Sequence, residues 1–324
     1  MNLRYFVLAC AVVVNACSKA PKPSDTATAP HPAILTAIGG DSSHIEGLAV
    51  HGGKLFVADW HDGAIYSVDP TSGNTARVGK LPTLPNQGIL GVATDSAGSF
   101  YAAIPDSGVI YKVDASRLGA ADFDATRDAT RFATGVLGAN GINFDDRGHL
   151  WITGGDHHAV YQVPATGGRG IVVVPDVSPQ STDTTMPVRV YTANGVAFDS
   201  KGRAYVVNTG TGAIQRITVD SAYHVTGDTL WLKDDRLIGA DGVIADAQDN
   251  LWIAANFRNA LLKVSSTGEI TEISANGAGG PLHFPAELKQ WGGRIYLANL
   301  NFPIGANTGT TDHRATIAVV PLTP

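Results

Sequence analysis

The sequence predicts an all-β protein, a propeller of six four-stranded blades whose ring is closed by pairing of its N- and C-terminal strands. Three observations carry this expectation. A unit of a polar-Gly pair, a short apolar strand, an Asp, a turn and a second strand recurs every forty to fifty residues. The strands are short, β-rich and separated by glycine turns, with 37 glycines in 324 residues. An unattached apolar strand, Ala33 to Ile38, precedes the first unit, and the last unit lacks an obvious fourth strand.

The repeats are explicit. Asn140-Gly141-Ile142-Asn143-Phe144-Asp145 leads to Leu150-Trp151-Ile152, and Asn194-Gly195-Val196-Ala197-Phe198-Asp199 leads to Ala204-Tyr205-Val206. Asp241-Gly242-Val243-Ile244-Ala245-Asp246 leads to Leu251-Trp252-Ile253. Two earlier units begin at Glu46-Gly47 and Leu90-Gly91, and a looser sixth contains Pro285-Ala286-Glu287-Leu288. The first strand of a blade lies nearest the propeller axis. Residues 33 to 38 are therefore expected to complete the sixth blade beside Thr316 to Val320, and the propeller domain spans 33–324.

The N-terminus reads as an export signal over 1–17. Arg4 supplies a positive start, Phe6 to Val14 is apolar but too short to span a bilayer, and Val14-Asn15-Ala16-Cys17 resembles a bacterial lipobox. Acylation is expected at Cys17, with residues 18–32, rich in Pro, Ala, Ser and Thr, as a flexible tether. The expected location is the bacterial cell envelope, lipid-anchored, on the periplasmic side of the outer membrane rather than the inner, since Ser18 and not Asp follows the cysteine. Cys17→Ser should release the protein from membranes or leave its precursor uncleaved. Fractionation with and without detergent checks this, and a native protein that is soluble without detergent would overturn it. No cysteine follows Cys17, so the domain has neither disulfide nor thiolate chemistry. A net charge of −6 without any basic run gives no reason to expect a nucleic-acid partner, and a monomer is expected.

The slot before the first-strand glycine holds Glu46, Leu90, Asn140, Asn194 and Asp241, and Ala286 or Glu287 in the sixth unit. Ring symmetry directs these positions toward one axis. Two carboxylates and two amide carbonyls are hard oxygen ligands suited to Ca²⁺, or another divalent cation, better than to Zn²⁺. Three or four protein ligands leave coordination positions for water and substrate, as a Lewis-acid catalyst requires. Taken singly, Asn-Gly and Asp-Gly are ordinary turn dipeptides. Their placement in one repeat slot argues for a site.

The order and spacing of the Glu-Gly, two Asn-Gly and late Asp-Gly motifs resemble the senescence marker protein, gluconolactonase and regucalcin family over the whole propeller. The resemblance implies Glu46, Asn194 and Asp241 as metal ligands, Asn140 as a substrate or outer ligand, and Asp241 as general base. The loops between second and third strands should open on the same face. They offer Trp60 and Phe257 as an aromatic wall, His61 as a donor, Arg258 as a fork for a substrate carboxylate or a neighbouring acid, and His157 or His158 as proton acceptors. His44 and His51 read as surface residues. The function expected is metal-dependent hydrolysis of a small lactone or ester. Two alternatives stand beside it: a non-catalytic NHL-like propeller binding a protein or cell-envelope ligand, and a metal-dependent lyase of the streptogramin-lyase type, which requires a histidine near the ion.

Overall fold

The computed structural model describes residues 31–40, 42–83, 88–177, 179–222 and 224–322. The signal, Cys17 and all but the last two residues of the tether lie outside them. No helix among the described residues is long and apolar enough to cross a membrane.

Six antiparallel sheets follow one another around a ring. The first blade comprises Ile45–His51, Lys54–Asp59, Ala64–Val68 and Thr75–Lys80. The innermost strands of the next four begin at Val92, Ile142, Val196 and Ala240. The sixth blade takes Pro285–Trp291, Arg294–Asn299 and Ala315–Pro321 from the C-terminus and Ala33–Ile38 from the N-terminus. Ala33 pairs with Val319 and Ile38 with Ala315, so the ring is closed as the sequence predicts. The second blade carries an extra outer strand, Gly168–Arg169, parallel to Ala129–Thr134.

The core is divided among the seams between blades. Tyr205, Val207 and Ile214 of the fourth blade pack on Val243, Ile253 and Leu262 of the fifth, and comparable clusters fill the other seams. A further apolar cluster, built on Met186, Val188, Phe284, Ala286 and Leu300, lies apart from the seams at the mouth of the axial channel.

The Asp of each central repeat has a structural task. In the second to fifth blades it closes the first hairpin by accepting backbone N–H groups two and four residues on. Its other oxygen accepts from an aromatic side chain six residues on: Tyr101 to Asp95 at 3.0 Å, Trp151 to Asp145 at 3.1 Å, Tyr205 to Asp199 at 3.1 Å and Trp252 to Asp246 at 2.9 Å. The first and sixth blades turn instead on Gly52-Gly53 and Gly292-Gly293, all four at positive φ, as a two-residue hairpin requires.

The slot glycines do something else. None of Gly47, Gly91, Gly141, Gly195 and Gly242 is among the glycines at positive φ. A Cβ on any of them would press, inside 3.0 Å, on a carbonyl oxygen of the next blade: Leu90, Asn140, Asn194, Asp241 and Ala286 respectively. They are glycines because adjacent inner strands touch backbone to backbone, not because they lie in turns. The same succession settles the sixth unit: Ala286 occupies the slot, and Glu287 stands where the other blades have glycine.

Candidate active site

The inner strands deliver one residue per blade to the channel mouth. Glu46, Asn140, Asn194 and Asp241 line a single cavity of about 70 Å³, together with Asn256 from the loop after the second strand of the fifth blade. Two of the inner strands are pinned to the next one just at this point. Gly195 N–H donates to the Asp241 carbonyl at 3.0 Å, and Gly91 N–H to that of Asn140 at 2.9 Å. The Asn194 amide donates to Thr209 Oγ1 at 2.9 Å, and Thr209 in turn donates to the Ala240 carbonyl at 2.7 Å, so the Asn194 side-chain oxygen is left for the cavity.

Asp241 is buried, and its Oδ2 accepts from Asn256 Nδ2 at 2.7 Å. Burial pushes its carboxyl up to about 8; the Asn256 amide pulls it back, Glu287 raises it further, and the Asn194 amide again opposes the rise. Glu46 is driven well above the usual carboxylate range by burial, then by the facing charges of Asp241 and Glu287. Glu287 lies below, in a channel of about 10 Å³ at the limit for one water. Its Oε1 accepts from Leu288 N–H at 2.9 Å and pairs with Lys289 at 3.3 Å. No cationic side chain lines the upper cavity. Two carboxylates are thus held together with no protein countercharge. The Oδ1 of Asn256, itself buried, has no partner. An orphaned buried oxygen beside a mutually repelling carboxylate pair and two amides suits a hard divalent cation. Among the described residues no three His, Cys, Asp or Glu side chains converge to hold an ion, so any such site relies on the amides.

A profile for the SMP-30/gluconolactonase/LRE-like region matches residues 44–278. The chain belongs to the SMP-30/gluconolactonase/LRE-like family. None of the curated proteins compared with the chain matches it. The fold of this SMP-30/gluconolactonase-like propeller resembles three solved structures. Regucalcin from Agrobacterium tumefaciens, described as a calcium-binding protein, shares 16% identity at a TM-score of 0.64, covering 89% of this chain and 96% of that one. A gluconolactonase from Xanthomonas campestris shares 15% at 0.63, covering 91% and 90%. Virginiamycin B lyase from Staphylococcus aureus shares 13% at 0.59, covering 91% and 100%.

The other residues singled out in the sequence of this SMP-30/gluconolactonase-like propeller are distributed as follows. Trp60 joins the cavity wall. His61 is exposed, with its backbone N–H on Asp59 at 2.7 Å. Phe257 packs against the apolar cluster at the mouth without reaching the cavity. Arg258 pairs with Glu272 at 3.5 Å, so its neighbour is a protein acid. His157 is exposed. His158 is held on both ring nitrogens, at 2.7 Å from Thr192 Oγ1 and 2.9 Å from Gln180, and neither histidine lines the cavity. His44 is more enclosed than its sequence suggests: Nδ1 lies 2.9 Å from the Leu300 carbonyl and the ring packs 4.9 Å from that of Phe302.

Sequence reasoning missed most of the wall. Val188 and Tyr191 come from the connection between the third and fourth blades, Phe284 from that between the fifth and sixth, and Leu300 and Phe302 from the sixth blade. Burial pushes the Tyr191 hydroxyl up to about 12, aided by the charges of Glu46, Asp156, Asp241 and Asp106. Phe284 sits at φ 55, an unfavourable left-handed conformation for a bulky side chain that typically costs about 1–3 kcal/mol. Its N–H is captured by Asn259 Oδ1 at 2.7 Å, and its carbonyl accepts from Leu300 N–H at 3.1 Å. The aromatic aimed at the cavity is fixed from both sides.

Proposed function

We propose that this propeller hydrolyses a small lactone or ester at the axial cavity, with Glu46, Asn194 and Asp241 holding a calcium ion. The observation that carries the reading is the pair of buried carboxylates, Glu46 and Asp241, sharing one cavity with amide oxygens and no cationic side chain. Family membership supports a lactonase-like enzyme. When bound, a divalent cation would polarise the acyl carbonyl. Asp241, oriented by Asn256, takes a proton from the water that attacks the acyl carbon. The acyl C–O bond then breaks, and the departing alkoxide receives the proton, leaving a hydroxy acid or an acid and an alcohol. Asn140 is assigned to the substrate. His157 and His158 are outside the cavity lining, which favours Asp241 over either as the base and weighs against a histidine-dependent lyase. A non-catalytic interaction module has no need of buried, unneutralised acids on its axis. The same reading keeps the acylated Cys17 and a tether to the cell envelope, facing a small-molecule substrate.

Calcium and pH are expected to act on stability in opposite senses. In calcium-free protein, folded Asp241 retains a proton to about 8, whereas the unfolded chain releases it near 3.8. The folded state therefore binds more protons across that window, and stability falls as pH rises from about 4 toward 8. Calcium binds the ionised carboxylates, so its stabilisation grows over the same interval. At a hundred times Kd it reaches about 2.7 kcal/mol, or roughly 5–10 °C in Tm for a domain of this size. Calorimetry at pH 5 and pH 8, with calcium and with chelator, together with hydrolysis of a lactone and aryl-ester panel, checks this. If chelation changes neither stability nor hydrolysis at pH 8, the reading fails.

A further inference from the structure

The cavity's walls define what kind of lactone or ester it can take. Its polar groups, Glu46, Asn140, Asn194, Asp241 and Asn256, belong to the axial site already described. The remaining surface is formed by Trp60, Leu90, Val188, Tyr191, Phe284, Leu300 and Phe302. Trp60 and Phe302 meet edge to face at 5.6 Å, and Phe302 lies 5.6 Å from Phe284, so the wall is continuous aromatic surface. Its only polar handles are the indole N–H and the Tyr191 hydroxyl.

A ring bearing hydroxyls all round would press those on the wall side against carbon, and hydroxyls left unpaired strongly disfavour binding. A substrate carboxylate fares no better. No Lys, Arg or His lines the cavity to receive it, and the fork of Arg258 is turned to Glu272. Size narrows the choice further. The cavity of about 70 Å³ is half the ~150 Å³ of an engineered apolar cavity that takes up benzene. By the same proportion it encloses only about three heavy atoms, so a five- or six-membered ring seats one side in it and leaves the rest at the mouth.

We propose that the cavity takes a small, uncharged lactone or ester with a hydrocarbon body, such as an unsubstituted five- or six-membered lactone, and rejects polyhydroxylated and carboxylate-bearing ones. This rests on the hydrolase reading above and specifies its substrate class. The carbonyl of such a ring faces the polar floor while its methylenes lie against Trp60, Phe284 and Phe302.

The test uses full-length, calcium-loaded protein in detergent and has two arms. Hydrolysis of δ-valerolactone and glucono-δ-lactone is followed by acid release. Binding is read separately by saturation-transfer NMR with their unreactive lactams, δ-valerolactam and glucono-δ-lactam. The expected kcat/KM ratio favours δ-valerolactone by roughly 100-fold or more, with saturation of δ-valerolactam alone. Phe302→Ala, which lengthens the cavity, should shift preference toward δ-decalactone by about tenfold relative to δ-valerolactone. Preference for the sugar lactone, binding of glucono-δ-lactam at least as tight as that of δ-valerolactam, or saturation of neither lactam would overturn the assignment. Binding of δ-valerolactam without hydrolysis of either lactone would instead overturn the hydrolase reading and uphold the occupant.

Discussion

Asp241→Asn is expected to abolish hydrolysis, by roughly 10³-fold or more if Asp241 is the general base, while making the calcium-free protein more stable at pH 8. The two effects share one cause. Asp241 is buried, faces Glu287 and Glu46, and has its carboxyl pushed up to about 8 by burial. At pH 8 the wild-type chain must either keep a proton there or bury a repelled charge, and an amide avoids both. Asn256 Nδ2 now donates to Asp241 Oδ2 at 2.7 Å, and an amide oxygen can accept the same bond. The gain at pH 8 is of order 1–3 kcal/mol, and it should shrink toward pH 4 and vanish below 3.8, where wild-type Asp241 is protonated in the unfolded chain as well. In calcium the order reverses, because the variant has lost a charged ligand and with it most of the ion's stabilisation. Thermal unfolding of both proteins at pH 4 and 8, with and without chelator, reads all of this apart from activity. A variant that is destabilised in chelator, or that retains wild-type hydrolysis, contradicts the assigned role.

Gly195→Ala should be among the most damaging single substitutions in the chain, although one methyl is all it adds. That methyl would be forced on the Asp241 carbonyl oxygen and within 2.9 Å of Val243 N, both backbone atoms of the next blade. Neither can move without pulling the fifth inner strand off its seam. Overpacking of this kind typically costs about 1–3 kcal/mol and more where backbone must shift, so a loss of roughly 3 kcal/mol, or about 6–12 °C in Tm, is expected. Gly277→Ala is the control: it also lies outside positive φ, and nothing stands within 4 Å of its added Cβ, so its Tm should stay within a degree or two of wild type. Equal Tm values for the two variants would mean that the ring glycines are not close-packed. Because Gly195 follows Asn194 and abuts Asp241, the substitution should also weaken calcium binding in whatever fraction remains folded.

The repeat made the fold legible. The units share one strand pattern, four of them an Asp-centred hairpin and five a slot glycine, so one unit read beside another exposes the blade without any tertiary information. The loose end at Ala33 to Ile38 then had a single place to go, beside Ala315–Pro321. The same comparison picked out Glu46, Asn140, Asn194 and Asp241, because a side chain placed once per blade at the innermost strand must approach the axis. Glu287 resisted this reading. Only the backbone contact between Gly242 and Ala286 shows that it occupies a glycine's position rather than the slot.

The rim followed different rules. Arg258 and His158 are chemically suited to a substrate, and their sequence neighbourhoods permit it, but Glu272 claims one and Thr192 and Gln180 claim the other. Those partners lie on other strands and connections. The cavity wall is a still clearer case: Val188, Tyr191, Phe284 and Phe302 come from segments that differ from blade to blade and have no counterpart for comparison. What the sequence by itself determined is whatever repeats, namely the blades, their closure and the axial oxygen donors, because a repeated local pattern implies a repeated local geometry. What only the tertiary structure decided is whatever depends on unique long-range convergence. That includes the aromatic wall, the size of the cavity and the burial that raises Glu46 and Asp241 together, since desolvation and apposition of charge are properties of neighbours brought from elsewhere in the chain.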